Sequence, residues 1–238
     1  MRYLVWAIIA ICFLSMGCNP KYYTPNTQNV PLLSEKGETN LTISGNGNQA
    51  EFQGAFALSS GFALKANGGL FIPPDLDNGN GGSGSFFEFG GGYFKPIGEN
   101  LVFETYAIAG FGSMENHLPS TMESNPLTQG DISASVLRYG IQPNFGYKSN
   151  NFSAAISSRV VNLTYSNIEG DLIFDGVDQV NYLKDNSSNF LIEPALTLRG
   201  GFEKIKLQLQ YGYSINLSNN DFKQDKSYLT LGLNFNFK

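Results

Sequence analysis

Tyr228-Leu229-Thr230-Leu231-Gly232-Leu233-Asn234-Phe235-Asn236-Phe237 stands directly before the last residue, Lys238. Leu229, Leu231, Leu233, Phe235 and Phe237 alternate with Thr230, Gly232, Asn234 and Asn236. Strict period-two alternation marks a β-strand with one apolar and one polar face, because successive side chains point to opposite sides of the pleat. A face of large aliphatic and aromatic residues must be covered, by a second sheet or by lipid.

The same alternation recurs upstream. Strands are predicted at residues 39–45, 49–58, 62–72, 85–95, 101–112, 133–147, 152–165, 190–202, 205–217 and 227–237, with almost no helical periodicity after Glu38. In the ninth, Lys206, Gln208, Gln210, Gly212 and Ser214 oppose Leu207, Leu209, Tyr211, Tyr213 and Ile215. Most segments approach the ~9–11 residues that a tilted membrane-spanning strand needs. Short connections at 59–61, 96–100, 148–151 and 203–204 alternate with longer ones at 73–84, 113–132, 166–189 and 218–226, and the small turn 46–48 fills the remaining place. Sorted loops of this kind point to one all-β, single up-and-down antiparallel transmembrane β-barrel of about ten strands, with short turns on the periplasmic side and long loops outside. A soluble β-sandwich has no reason to sort its connections so.

Composition agrees. Only 15% of the 238 residues are charged and 13% are aromatic, with 27 glycines, whereas a soluble domain carries about 25% charged residues. No stretch after Cys18 approaches the ~20 apolar residues of a spanning helix. The net charge of -5 argues against a nucleic-acid partner, which calls for a basic patch.

The chain opens with Arg2, an apolar run from Leu4 to Met16, and Gly17 before Cys18, the pattern of a secretory signal peptide over residues 1–17. Leu14-Ser15-Met16-Gly17-Cys18 resembles a bacterial lipobox, which implies cleavage before Cys18 and its acylation, palmitate included. Cys18 is then the one cysteine of the mature chain, so an internal disulfide or a cysteine zinc site is excluded. Residues 18–38, rich in proline at their start, read as an extended lipidated tether, and 39–238 as the barrel. An even strand number puts both ends of the barrel on the periplasmic side. With no acidic cluster after Cys18, the lipid is expected in the periplasmic leaflet of a bacterial outer membrane.

With the lipobox, the segment Tyr23-Thr24-Pro25-Asn26 through Asn29-Val30-Pro31-Leu32-Leu33, the Gly37-Glu38 pair and the aromatic terminal strand, the chain resembles the Bacteroidota-type outer-membrane β-barrel lipoproteins. The resemblance covers the architecture of the whole chain and implies no particular activity. Ending on Lys238 rather than on an aromatic residue departs slightly from it.

If the apolar faces meet lipid, the opposite faces meet one another. The charges predicted inside are Glu51, Glu88, Glu104 and Glu193 against Lys65, Arg138, Arg159, Arg199 and Lys206. Isolated buried charges cost several kcal/mol, so ion pairing is expected. Eight-stranded barrels are just filled by side chains and open channels need about sixteen strands. Two readings stay open: a satisfied polar core, or a narrow solute path lined by these charges.

Other patterns point to ordinary roles. Gly79-Asn80-Gly81-Gly82-Ser83-Gly84 matches GxGxxG, but a strand with Phe86, Phe87 and Phe89 follows instead of a helix, so it reads as an external loop. Asp75 and Asp77, and the group Glu169, Asp171, Asp175 and Asp178, read as solvated loop acids rather than calcium ligands. His117, the one histidine, reads as a bystander in the loop after strand five, with no nucleophile elbow to serve. Tyr93, Tyr139, Tyr147, Tyr165, Tyr211, Tyr213 and Tyr228 suit interfacial girdles. The expectation is a protein with no cofactor, no metal and no catalysis, partnered by outer-membrane lipids and a protein in the same membrane as a structural or accessory subunit. A small-solute channel and a loop-based receptor or adhesin are the rivals.

Overall fold

The computed structural model describes residues 20–72, 81–118 and 127–238. The strands are β1 Thr39–Gly45, β2 Gln49–Ala57, β3 Phe62–Phe71, β4 Gly81–Ile97, β5 Leu101–Leu118, β6 Gly130–Lys148, β7 Phe152–Gly170, β8 Ile173–Phe174, β9 Val177–Asp178, β10 Ser188–Gly201, β11 Ile205–Tyr213, β12 Ile215–Asn216 and β13 Ser227–Phe237. Among the described residues one helix, α1, spans Gln179–Asp185. Each wall strand pairs antiparallel with its neighbours, and β13 closes the ring by pairing with both β1 and β11. With β11 and β12 as one wall strand broken at Ser214, the barrel has ten strands.

The alternation of β13 translates directly into its two faces. Leu231 is 59% exposed on the outside while Asn234 is fully buried inside. Register keeps this consistent around the ring: Leu231 stands opposite Leu209, and Asn234 opposite Lys206 and Thr42. The outward face carries Phe52, Leu64, Phe111, Leu137, Ile156 and their neighbours, all exposed to the surrounding medium. A continuous apolar exterior around a closed sheet is a lipid-facing belt.

The strands β4 to β7 extend further toward the long-loop end than the alternation suggested. Gly81 to Gly84 belong to β4, paired with Met114 to His117 of β5, and are not part of a loop. A Cβ on Gly82 would lie 2.7 Å from the Glu115 carbonyl oxygen, so these glycines permit close strand approach. Residues 79 and 80, and Asp75 and Asp77, lie outside the described residues. His117 is an exposed residue of β5, opposite Asp131 of β6, rather than a loop residue. The connection after β7 contains the β8–β9 hairpin and α1. Asp178 caps that helix by accepting from the Asn181 amide at 3.0 Å, and Asp171 accepts from the Asp131 amide at 3.2 Å. Asp178 thus acts as an N-cap, whereas Asp171 holds a backbone amide across the β6–β7 pair.

The tyrosines divide. Tyr93, Tyr139, Tyr147, Tyr211 and Tyr213 face outward, but Tyr165 and Tyr228 point into the barrel. Tyr228 fits because its cross-strand partner is Gly212, where a Cβ would come within 2.3 Å of the phenol ring. Ring over glycine fills the space that the missing side chain leaves.

The largest departure concerns residues 20–38, read from sequence as a tether outside the barrel. They pass through its interior. Asn26, Thr27, Gln28, Asn29, Val30, Leu32 and Leu33 are all buried, with ten wall strands around them. Lys21 to Tyr23 lie at the long-loop mouth and Ser34 to Glu38 at the short-turn mouth, where Gly37 and Glu38 exchange backbone hydrogen bonds with Ala57. Hence, although β1 begins and β13 ends at the short-turn end, Pro20 sits at the other. The expectation of a lipid at the short-turn end, on Cys18, a residue outside those described, holds only for a tether that stays out of the lumen.

Candidate functional site: a strap through the lumen

The strap, residues 20–38, is extended for a physical reason. Pro20, Pro25 and Pro31 fix φ and cannot donate backbone hydrogen bonds, and the residues between them carry amide and hydroxyl side chains. An extended chain inside a barrel cannot pair with a wall whose backbone is already used. Its polar groups must therefore be met by side chains. The inward residues of the wall supply them.

At the centre stands Asn26. Its Oδ1 accepts from Arg138 Nη2 at 2.8 Å and from Arg159 Nη1 at 2.7 Å, and its carbonyl accepts from Arg159 Nη2 at 2.7 Å. Arg138 also donates to Glu88 Oε2 and to the Tyr23 hydroxyl, both at 2.7 Å. The Tyr23 hydroxyl in turn donates to Glu193 Oε1 at 2.7 Å. Arg159 Nε lies 2.8 Å from Glu193 Oε2; its N–H is not aligned for a hydrogen bond, so this is a contact of charges. Both ion pairs are essentially solvent-free. Removing one partner of such a pair costs ~3–5 kcal/mol, because the other charge is left uncompensated.

Toward the short-turn end the wall reads the strap residue by residue. Glu51 accepts from the Thr27 amide at 2.9 Å and its hydroxyl at 2.8 Å. Gln210 accepts from the Gln28 amide at 2.6 Å and donates to the Gln28 carbonyl at 2.9 Å. This is a two-bond clamp of the kind one strand offers another. Asn67 accepts from Asn29 at 2.8 Å, and Gln142 donates to the Asn29 carbonyl at the same distance. Arg199 donates to the Val30 carbonyl at 2.7 Å, and Glu104 accepts from the Leu33 amide at 2.8 Å. Leu32 adopts φ 53°, a left-handed conformation uncommon for leucine. Its carbonyl accepts from Lys148 Nζ at 2.9 Å, and Lys148 also pairs with Glu38.

All nine charges predicted to face inward are buried: Glu51, Lys65, Glu88, Glu104, Arg138, Arg159, Glu193, Arg199 and Lys206. The structure gathers most of them around the strap and leaves Lys206 near the short-turn mouth, donating to the Glu203 carbonyl at 3.2 Å. Their compensation differs from the expectation of ion pairs throughout. Glu88–Arg138 and Glu193–Arg159 are paired. Glu51, Glu104 and Arg199 are satisfied by strap amides and carbonyls instead, and Lys65 by Gln142 Oε1 at 2.7 Å. Asn26, Thr27 and Gln28, the strap residues at the centre, lacked a signal in the periodicity. The run of side-chain amides and a hydroxyl between Pro25 and Pro31 was the available hint.

The two mouths are finished differently. Tyr22 packs with Tyr165, Leu172, Leu183 and Phe222 in an apolar cap at the long-loop end, and its hydroxyl donates to Gln179 of α1 at 2.8 Å. The short-turn end opens as a vestibule of about 640 Å³ bordered by Glu38, Lys148, Glu203 and Lys206. Among the described residues no group of three or more histidine, cysteine or acidic side chains is arranged to hold a metal ion.

No protein-family model matches the chain, and no curated protein matches it. Among solved structures it is similar to the KdgM porin, with TM-score 0.38 and 7% identity over 84% of this chain and 99% of that one. It is also similar to an outer membrane channel from Pseudomonas putida F1, with TM-score 0.37 and 13% identity over 89% of this chain and 99% of that one. LpxR from Salmonella typhimurium gives TM-score 0.34 and 10% identity over 84% and 99%. Likenesses this low carry nothing about activity.

Proposed function

We propose that this chain is a self-plugged barrel of the bacterial outer membrane, neither a pore nor an enzyme, that serves as a structural or accessory subunit beside a larger membrane protein. One observation carries the reading: the lumen is occupied by the chain's own strap, held by a buried network centred on Asn26, Arg138 and Arg159. A lumen spent on its own chain offers no path for solute. What remains for interaction is the lipid-facing belt and the loop-side surface built on α1 and the β8–β9 hairpin. The acyl group expected on Cys18 adds a second hold on the membrane, since each buried methylene contributes ~0.8 kcal/mol.

Planar bilayers test the first half. The native protein should give no single-channel steps at a protein load at which an open barrel does. Steady conductance of the native chain would sink the reading. The second half is tested by purification from native membranes in mild detergent, where a membrane protein should accompany the barrel in fixed stoichiometry. Elution as a lone barrel would count against an accessory role.

A second reading is a channel opened by withdrawal of the strap. It is favoured by the wall lining, in which Gln53, Asn67, Gln142, Asn144, Thr197 and Gln208 face inward and would line water once the strap left. Arg138→Ala with Arg159→Ala should then conduct while keeping heat-modifiable migration, whereas a silent but folded double variant favours the plug.

A further inference from the structure

We infer that the strap carries the chain across the whole membrane inside its own barrel, so that Pro20 and Lys21, the described start of the strap, lie on the long-loop side. The partners met along the strap follow one direction without reversal. The Lys21 carbonyl accepts from Asn116 at 2.9 Å. The Tyr22 amide donates to the Lys223 carbonyl at 2.9 Å, and Tyr23 forms a bridge with Gln224. All of these belong to the long-loop end. Asn26 then meets Arg138 and Arg159, Leu33 meets Glu104, and Ser34 and Glu38 meet Lys148 at the short-turn end.

Strand β5 measures the crossing, because it touches the strap twice. Asn116 holds Lys21 and Glu104 holds Leu33. The two wall positions are about twelve residues apart, or ~40 Å along the strand at ~3.4 Å per residue. A tilt of ~35–45° reduces this to ~30 Å along the barrel axis, the thickness of a bilayer's hydrocarbon core. Between Lys21 and Leu33 the strap also has about twelve residues, with a reach of at most ~3.6 Å each. An extended chain of that length, reaching about 43 Å when fully stretched, spans the ~30 Å core with about a quarter of its length in reserve.

This sidedness fixes the leaflet of the anchor. Cys18 precedes Lys21 by three residues, a reach of no more than ~11 Å, and cannot return to a mouth ~30 Å away. The acyl group implied by the lipobox resemblance therefore enters the leaflet on the long-loop side, the outer leaflet if the loops face outward. That reverses the periplasmic placement expected from sequence. It goes beyond the proposed plug role, because a plug could equally be drawn in from either mouth.

The test places single thiols by Lys21→Cys, Val177→Cys in the exposed β8–β9 hairpin, and Asn150→Cys in the β6–β7 turn. Intact cells are treated with a membrane-impermeant maleimide, and the unsubstituted protein serves as control. Lys21→Cys should label together with Val177→Cys, while Asn150→Cys labels only after lysis. Grouping of Lys21→Cys with Asn150→Cys overturns the inference and leaves the non-conducting plug standing. Equal labelling at all three positions overturns both the inference and the barrel's membrane insertion. A second arm inserts a flexible protease site between Pro20 and Lys21. External protease should part palmitate label from the barrel in intact cells. Retention of the label until lysis, or no palmitate label at all, overturns the leaflet assignment.

Discussion

The two mouths of this barrel hold the same strap by different physics. At the long-loop end Tyr22 is buried among Tyr165, Leu172, Leu183 and Phe222, with ring centroids 6.3 Å from Tyr22 to Phe222 and 6.0 Å from Tyr165 to Phe222. At the short-turn end the strap is held by Lys148, which meets Glu38, Ser34 and the Leu32 carbonyl beside an open vestibule. One end depends on area removed from water, which salt hardly affects. The other depends on charge at a partly wetted site, which salt screens.

Breaking the apolar mouth should have the largest effect. Phe222→Ala removes a buried ring and should cost about 3–5 kcal/mol in heat- or urea-induced unfolding followed by gel mobility, with no dependence on ionic strength. A loss under 1 kcal/mol would mean that the cap is not what fastens this end. Lys148→Met should cost about 1–3 kcal/mol, discounted because the side chain is 21% exposed. Raising the salt concentration should shrink the difference between Lys148→Met and the native protein. A salt-independent difference would contradict the contrast between the mouths. Tyr165→Phe is finer: it removes only the hydroxyl that donates to the Tyr22 carbonyl at 2.8 Å and should cost about 1 kcal/mol with the ring packing intact. Equal losses in Tyr165→Phe and Phe222→Ala would assign the cap to hydrogen bonding. Smallest of all, Lys238→Ala should leave unfolding unchanged. The Lys238–Glu35 pair, although its hydrogen bond draws the Glu35 carboxyl below its usual range, is exposed, and exposed pairs contribute little. A clear loss there would show that the short-turn mouth is tighter than its vestibule suggests.

The wall was legible because its signal is local. A period of two over Tyr228 to Phe237 predicts which side of the sheet each residue takes, whatever the neighbouring strand, and Leu231 and Asn234 fall on the sides their spacing assigns. The burial of Arg138, Arg159 and Glu193 follows from the same parity. Strand ends were harder to read: β4 and β5 run past the last clear alternation because Gly81, Gly82 and Gly84 find partners in the ladder despite lacking side chains. Helix α1 carries no clear sequence signal because seven residues make barely two turns, too few for a helical period to stand out.

From sequence alone came the closed, membrane-facing sheet, its strand order and the identity of the charges turned inward, since each follows from side-chain alternation and connection length along the chain. Only the tertiary structure decided what those charges face. The strap's contacts join Asn26 to Arg138 and Arg159, Gln28 to Gln210 and Leu33 to Glu104, residues distant in sequence and on different strands. An extended proline-flanked segment has no periodicity to announce a partner. Whether it hangs outside a barrel or threads it depends on whether a lumen of matching polarity exists. That lumen forms only when ten strands close, and with it the direction in which the chain crosses the membrane.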